Sequence, residues 1–438
     1  MIRHIAATAV LAIAPPVWAA GQDPAPTPIV QAQAYAEPSP TPEVAATPEA
    51  KSGGNLIRRS LRHFLRDDDQ GSEQGVHRGP VYPRVAIVSA GGGPAPVVHL
   101  WGSNIRSTPL DFHASAAYSV FKYQYYDAQF GMLPHEGEKL PRFETSTNAV
   151  FPLADLDKGS GASGFSLYAS ARYRDFPRED FYGIGDGSSR DRHSDYRLKD
   201  RQYEGVMRFG GRRFSTMARA GLMQTTIGAG LDSGIPDTDT LFTPASAPGL
   251  VNTPDFLFGS VGAWLELRDV VGNPHKGAAF GGAYSRFDDR KADVYKFDRV
   301  SLEGREYLPL GTHRHVLAFR ELLVMDKPAD GRAIPFYLRT TLGGGSSFRG
   351  YSSFRFRDDR LFYLTGEYRF EATPKIELAF IYEAGKVFPE SEGVNFDHMR
   401  KAWGGGLRLK SPKKVHARLD VVHGDEGTRV HAKLSRSF

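Results

Sequence analysis

The sequence predicts an all-β chain, a sixteen-stranded antiparallel transmembrane β-barrel led by a disordered proline-rich stretch and one short amphipathic helix. Three observations predict it. First, long tracts alternate apolar and polar residues with period two: Phe165, Leu167, Ala169, Ala171 and Tyr173 interleave with Ser166, Tyr168, Ser170, Arg172 and Arg174. Side chains of a strand point alternately to opposite faces, so such a tract has one oily and one charged face. Second, about sixteen tracts of this kind can be counted, and their connections alternate between long and short. Third, aromatic residues make up 12% of the chain and Gly numbers 47, yet mean hydropathy is −0.39. Membrane-spanning helices would raise that mean well above zero, whereas in a barrel only every second strand residue meets lipid.

The elements follow in chain order. Residues 1–19 have the form of a secretory signal peptide: Arg3 and His4, an apolar run from Ile5 to Ala14 too short to span a bilayer, and small residues around Val17-Trp18-Ala19. Residues 20–54 form a linker in which Pro24, Pro26, Pro28, Pro38, Pro40, Pro42 and Pro48 alternate with Ala, Thr and Glu. This composition favours extended chain and cannot build a core. At about 100° per residue, residues 55–66 place Leu56, Ile57, Leu61, Phe64 and Leu65 on one side of a helix and Arg58, Arg59, Arg62, His63 and Arg66 on the other. Such a segment lies on an anionic lipid surface, packs as a plug or rim element of the barrel, or stays disordered.

The barrel is expected over 84–438, with strands near 84–90, 96–103, 111–128, 142–151, 164–174, 201–210, 213–223, 256–268, 278–287, 294–308, 314–325, 361–370, 376–388, 401–410, 413–423 and 428–438. Connections after odd strands include the long ones (129–141, 175–200, 224–255, 326–360 and 389–400), and those after even strands are short, such as Gly211-Arg212 and Ser411-Pro412. Long outside and short inside is the rule for outer-membrane barrels, and a soluble sandwich has no reason to obey it.

The most informative stretch is the loop Leu342-Gly343-Gly344-Gly345-Ser346-Ser347-Phe348-Arg349-Gly350-Tyr351, followed by strands that carry Glu367 and Glu383. Glycines let the backbone fold sharply at low steric cost, and Arg349 is a permanently charged planar fork at its tip. With Phe181-Tyr182-Gly183-Ile184-Gly185, Leu267-Arg268-Asp269, Asn273-Pro274 and Gly277, this set resembles the barrel of the bacterial surface antigen group in the BamA/TamA superfamily. The resemblance implies that the loop folds into the lumen and that its Arg-Gly-aromatic tip, Arg349, Gly350 and Tyr351, pairs with carboxylates on the inner wall. Where the family has an aromatic, any residue, Asp, any residue and Gly, this chain reads Ile381-Tyr382-Glu383-Ala384-Gly385, so its carboxylate is one methylene longer. Alternation supports the pairing: with Leu378, Phe380 and Tyr382 facing lipid, Glu377, Ala379, Ile381 and Glu383 turn inward, and Glu367 turns inward likewise. The terminal Phe438 resembles the aromatic signal read by barrel-insertion machinery, although Arg436 departs from the usual pattern there.

Enzymatic chemistry finds no foothold. Cys is absent, which removes thiolate chemistry and disulfides. Gly343-Gly344-Gly345 is not followed by Lys-Ser/Thr, Ser346 and Ser347 have no evident His base, and His313 with His315 lacks a third metal ligand. No cofactor is expected, and a net charge of +5 over 438 residues does not point to nucleic acid. The expectation is an integral outer-membrane protein that is not an enzyme. It aids lipid or protein movement and outer-membrane homeostasis, with outer-membrane lipids, lipopolysaccharide and the insertion machinery as partners. The alternatives are a passive porin-like channel and a surface-binding barrel. Family members that insert or secrete proteins carry periplasmic POTRA domains, for which the proline-rich stretch leaves no room, and this favours lipid handling. The family's labile seam would join Arg84–Ala90 to Thr428–Phe438.

Overall fold

The computed structural model describes residues 80–134 apart from 88 and 90, residues 153 and 156, and residues 164–434 apart from 346. The expected signal peptide (1–19), linker (20–54), amphipathic helix (55–66, with Leu56, Ile57, Leu61, Phe64 and Leu65) and terminal Phe438 lie outside the described residues.

Sixteen strands form one antiparallel sheet in which each pairs with its neighbours along the chain. They are β1 (Val81–Ile87), β2 (Pro94–Gly102), β3 (Asp111–Tyr118), β4 (Gln124–Met132), β5 (Gly164–Phe181), β6 (Ser194–Gly211), β7 (Phe214–Ala229), β8 (Asp255–Glu266), β9 (Gly277–Asp289), β10 (Lys296–Leu310), β11 (Thr312–Pro328), β14 (Arg360–Thr373), β15 (Ile376–Phe388), β16 (Arg400–Lys410), β17 (Val415–Gly424) and β18 (Gly427–Leu434). Between β11 and β14 the chain leaves the wall and makes a two-stranded hairpin of β12 (Thr340–Leu342) and β13 (Phe356–Asp358). The wall order begins at β1 and ends at β18, and among the described residues no ladder joins these two.

Burial follows the alternation. On β15, Leu378 and Phe380 are 46% and 55% exposed, while Ile381 and Glu383 are fully buried. The same pattern recurs around the sheet, with Phe130, Leu167, Tyr203, Phe209, Leu257, Tyr284, Leu302 and Trp403 on the outer face. An apolar face of this extent would drive a soluble protein to associate; in a bilayer it is the lipid-facing belt. The wall strands are 7 to 18 residues long. A tilted strand crosses the hydrocarbon layer with about 9–11 residues, so the longer ones extend past it.

Two expected strands are corrected. The tract expected as one strand over 111–128 is two, β3 and β4, joined by a tight turn over Ser119–Tyr123. Ser119 Oγ accepts hydrogen bonds from the backbone N–H groups of Phe121 (3.2 Å) and Tyr123 (3.1 Å), and Lys122 takes φ +67°. β4 then pairs directly with β5, from Gln124 opposite Asp175 to Met132 opposite Leu167, which leaves no place between them for a strand over 142–151. As a result the long connection 133–163 leaves from the end of the barrel where the short turns lie. Strands β5 and β6 run further than expected, and the loop between them shrinks from 175–200 to 182–193.

Candidate functional site

The loop between β11 and β14 reaches inward, and Arg349 is buried among carboxylates from three wall strands. Its Nε donates to Glu383 Oε1 on β15 at 2.6 Å, and its backbone N–H to Glu383 Oε2 at 2.8 Å. Nη1 donates to Glu367 Oε1 on β14 at 2.9 Å and to Asp420 Oδ2 on β17 at 3.0 Å, and Nη2 to Thr365 Oγ1 at 3.2 Å. Tyr363 donates its hydroxyl to Glu383 Oε1 at 2.8 Å. His431 on β18 meets the Arg349 carbonyl at 2.7 Å, and Arg418 donates to the Gly345 carbonyl at 2.9 Å. Tyr351 donates to Asp425 Oδ2 at 3.0 Å.

Burying so many charges is tolerable because they balance. Arg349, Arg369, Arg408 and Arg418 face Glu367, Glu377, Glu383 and Asp420 in one connected set, with Glu367 bonded to Arg349, Arg369 and Arg408 at once. A guanidinium offers five donors in a planar fork, which is why one residue can bridge several strands.

Glycine is required at two places in the loop. Gly343 holds φ +131°, and a Cβ there would stand 2.1 Å from the Ser352 carbonyl oxygen. Gly350, beside the charged tip, presses against the wall, where a Cβ would come within 2.5 Å of Ala402 Cβ. Gly350→Val is therefore expected to cost about 1–3 kcal/mol by overpacking. The midpoint of thermal loss of heat-modifiable migration measures it, and an unchanged midpoint would show that the tip is not seated against β16.

Sequence reasoning named Arg349, Gly350, Tyr351, Glu367 and Glu383, and the structure brings all five into this cluster. It did not name Asp420 or His431. Asp420 lies on the charged face of its strand, but several inward charges share that description and nothing local marks it as the partner of the loop.

The lumen is also filled above and below the latch. Toward the long loops, Ile334, Phe336, Tyr337 and Leu338 are buried with Phe181, Tyr196, Phe256 and Phe297 in an aromatic core. The Phe336 ring lies 4.8 Å from that of Phe181 and 4.9 Å from that of Tyr196. Arg357 donates to the Phe336 carbonyl at 2.8 Å with its guanidinium over the same rings. The 182–193 loop is fastened to this cap: Gly185 N donates to the Arg357 carbonyl at 2.8 Å, and Arg400 Nε reaches both Asp186 carboxylate oxygens at 3.1 Å. Burial raises the Asp186 carboxyl above its usual range while Arg400 draws it back down.

At the short-turn end, Leu153 and Leu156 of the 133–163 connection pack against Val206, Met217, Trp264 and Ala279, and the Leu156 carbonyl accepts from Ser215 Oγ at 2.6 Å. The β8–β9 connection crosses the same mouth. Asn273 Nδ2 donates to the carbonyls of Ser411 (3.2 Å) and Pro412 (3.3 Å) between β16 and β17. The Asn273-Pro274 pair lies in this strap.

The profile of the Omp85 superfamily domain matches residues 143–422. Among solved structures, BamA from Haemophilus ducreyi lacking POTRA domains 1–3 is similar at 12% identity, covering 87% of this chain and 82% of that one with a TM-score of 0.56. CdiB from Acinetobacter baumannii is similar at 13% identity over 81% of this chain and 65% of that one, TM-score 0.43. CdiB from Escherichia coli is 13% identical over 82% of this chain and 63% of that one, TM-score 0.47, so this chain spans less than two thirds of either CdiB. No curated protein matches the chain.

Proposed function

The chain belongs to the Omp85 superfamily of outer-membrane β-barrels, and from that premise we propose that it moves or rearranges outer-membrane lipid along its wall, in the service of outer-membrane homeostasis. The observation that carries this reading is the filled lumen: an aromatic core toward the long loops, the Arg349 latch at mid-depth, and Leu153, Leu156 and the Asn273 strap at the short-turn end. A hydrated solute, or a polypeptide threaded through the lumen, needs it open. A lipid does not, because its acyl chains stay in the bilayer while only the headgroup passes the polar side. The edges of β1 and β18 offer a place for that passage beside the latch, since His431 of β18 holds the loop tip.

The deciding comparison is a deletion strain assayed for surface-exposed phospholipid and lipopolysaccharide together with its outer-membrane protein profile. Altered lipid asymmetry with an unchanged protein profile is expected, and the converse would overturn the lipid assignment in favour of protein movement. The purified barrel in a planar bilayer is expected to show no large, steady channel. Deleting 334–338 removes the aromatic cap and should raise the conductance. Large steady openings in the unaltered chain would point to a porin instead.

A further inference from the structure

The short turns at the periplasmic end carry a charge excess that the latch does not use. Arg212 and Arg213 form the β6–β7 turn, Lys276 ends the β8–β9 connection, Lys375 sits between β14 and β15, and Lys413 and Lys414 lie between β16 and β17; all are exposed. Hydrogen bonds tie these turns into one arc. Glu266 N donates to the Arg213 carbonyl at 2.7 Å, Val415 N to the Gly272 carbonyl at 3.2 Å, and Lys410 N to the Lys375 carbonyl at 3.0 Å. The Asn273 strap fastens the β8–β9 connection to the β16–β17 turn, and a Cβ on Gly272 would stand 2.4 Å from the Lys413 carbonyl oxygen. Like charges held near one another repel, and the backbone bonds prevent the turns from spreading apart, so anions bound beside these turns lower the energy of the cations they neighbour.

The charge is polarised along the barrel axis. At the opposite end, connections 230–254, 389–399 and 425–426 contain eight carboxylates and no Lys or Arg, while 119–123, 182–193, 290–295 and 329–359 carry cations as well. The depth of the arc is set by its neighbours. Exposed Phe209, Phe214, Leu265 and Ile376 stand on the outer wall within a few residues of the cationic turns, so the hydrocarbon layer ends there and the cations stand at the level of lipid headgroups.

We propose that this arc is a docking surface for anionic, phosphate-bearing lipid headgroups of the periplasmic leaflet. Arg212 and Arg213 offer planar forks to phosphate oxygens, and the lysines add point charges on flexible stems. The interaction holds a ring of anionic lipid against the barrel at the mouth that the strap spans.

The test uses the full chain reconstituted in vesicles of phosphatidylcholine mixed with phosphatidylglycerol, extracted gently, with the co-retained lipid measured by mass spectrometry. Phosphatidylglycerol is expected to be enriched about fivefold over its bulk fraction, and the enrichment should fall as salt is raised. The variant R212Q/R213Q/K375Q/K413Q/K414Q should lose the enrichment while keeping heat-modifiable migration. E390Q/E392Q/D397N, altered at the other end, should keep it. Retention of the two lipids in their bulk ratio by the unaltered chain, or enrichment that persists in the quintuple variant, overturns the proposal. If the quintuple variant does not fold, the salt series on the unaltered chain decides, and salt-independent enrichment overturns it as well. Binding of soluble polyglutamate without any preference for phosphatidylglycerol would assign the arc to an acidic polypeptide and overturn the lipid assignment.

Discussion

Arg349→Ala is expected to cost about 3–5 kcal/mol of stability and to release the loop to protease. The substitution removes the one group that bonds Glu383, Glu367 and Asp420 together, all of which are inaccessible to water. Four carboxylates, Glu367, Glu377, Glu383 and Asp420, then face only Arg369, Arg408 and Arg418, and the balanced set is left with an excess negative charge away from water. The loop also loses its bond from the Arg349 side chain to Thr365, so the Gly-rich segment is held only by Tyr351, by its backbone bonds and by the contacts of Phe348 with Tyr351 and Tyr363. Arg349→Lys keeps the charge but cannot reach three strands from one ammonium, so an intermediate loss is expected. The measurements are heat-modifiable migration and limited trypsin digestion between 345 and 357. A variant with unchanged migration and an uncut loop would show that the aromatic contacts alone hold the tip.

Glu367→Gln is expected to lower stability by about 2–3 kcal/mol with almost no change in shape. Glu367 accepts from Arg349 at 2.9 Å, Arg369 at 2.9 Å and Arg408 at 2.6 Å. A carboxamide of the same size keeps an oxygen for one of these donors but turns its nitrogen, a donor itself, toward another guanidinium. The loss is therefore chiefly electrostatic. Denaturant unfolding in detergent reads it, and pairing the change with Arg408→Gln should recover part of the loss by restoring neutrality. Additive losses in the double variant would mean that the two side chains do not share one buried network.

Much of the wall was legible because its signal is physical and local. Lipid on one side and a charged interior on the other impose period-two alternation, and tracts such as 415–421 and 429–434 carried it without interruption. The turn at Ser119–Tyr123 was not legible. Its residues, Ser-Val-Phe-Lys-Tyr, contain no Gly, Pro, Asn or Asp, the residues that announce a turn, and the reversal rests on one serine hydroxyl and a left-handed lysine. Missing that turn displaced the connection to β5 and supplied a strand over 142–151 that the wall does not hold. The latch was half legible. Arg349, Glu367 and Glu383 stood out through a sequence pattern, while Asp420 and His431 are inward polar residues whose partner is fixed only by how far the sheet curls. The aromatic cap from Ile334 to Leu338 carried no periodic signal, because it belongs to no strand and is buried by its surroundings.

The partners of the loop tip all come later in the chain than the tip itself: Glu367, Glu383, Asp420 and then His431, which sits opposite Asp420 in the final ladder. In chain order the guanidinium therefore precedes the five wall strands, β14 to β18, among which its partners lie. The last strand finds its Arg349 partner only if the loop has already been threaded to the correct side. A chain that completed its sheet with the loop outside would have to reopen several strands to correct the error. The contact of His431 with the Arg349 carbonyl is thus one that only a chain with its loop inside and its last strand in place can make.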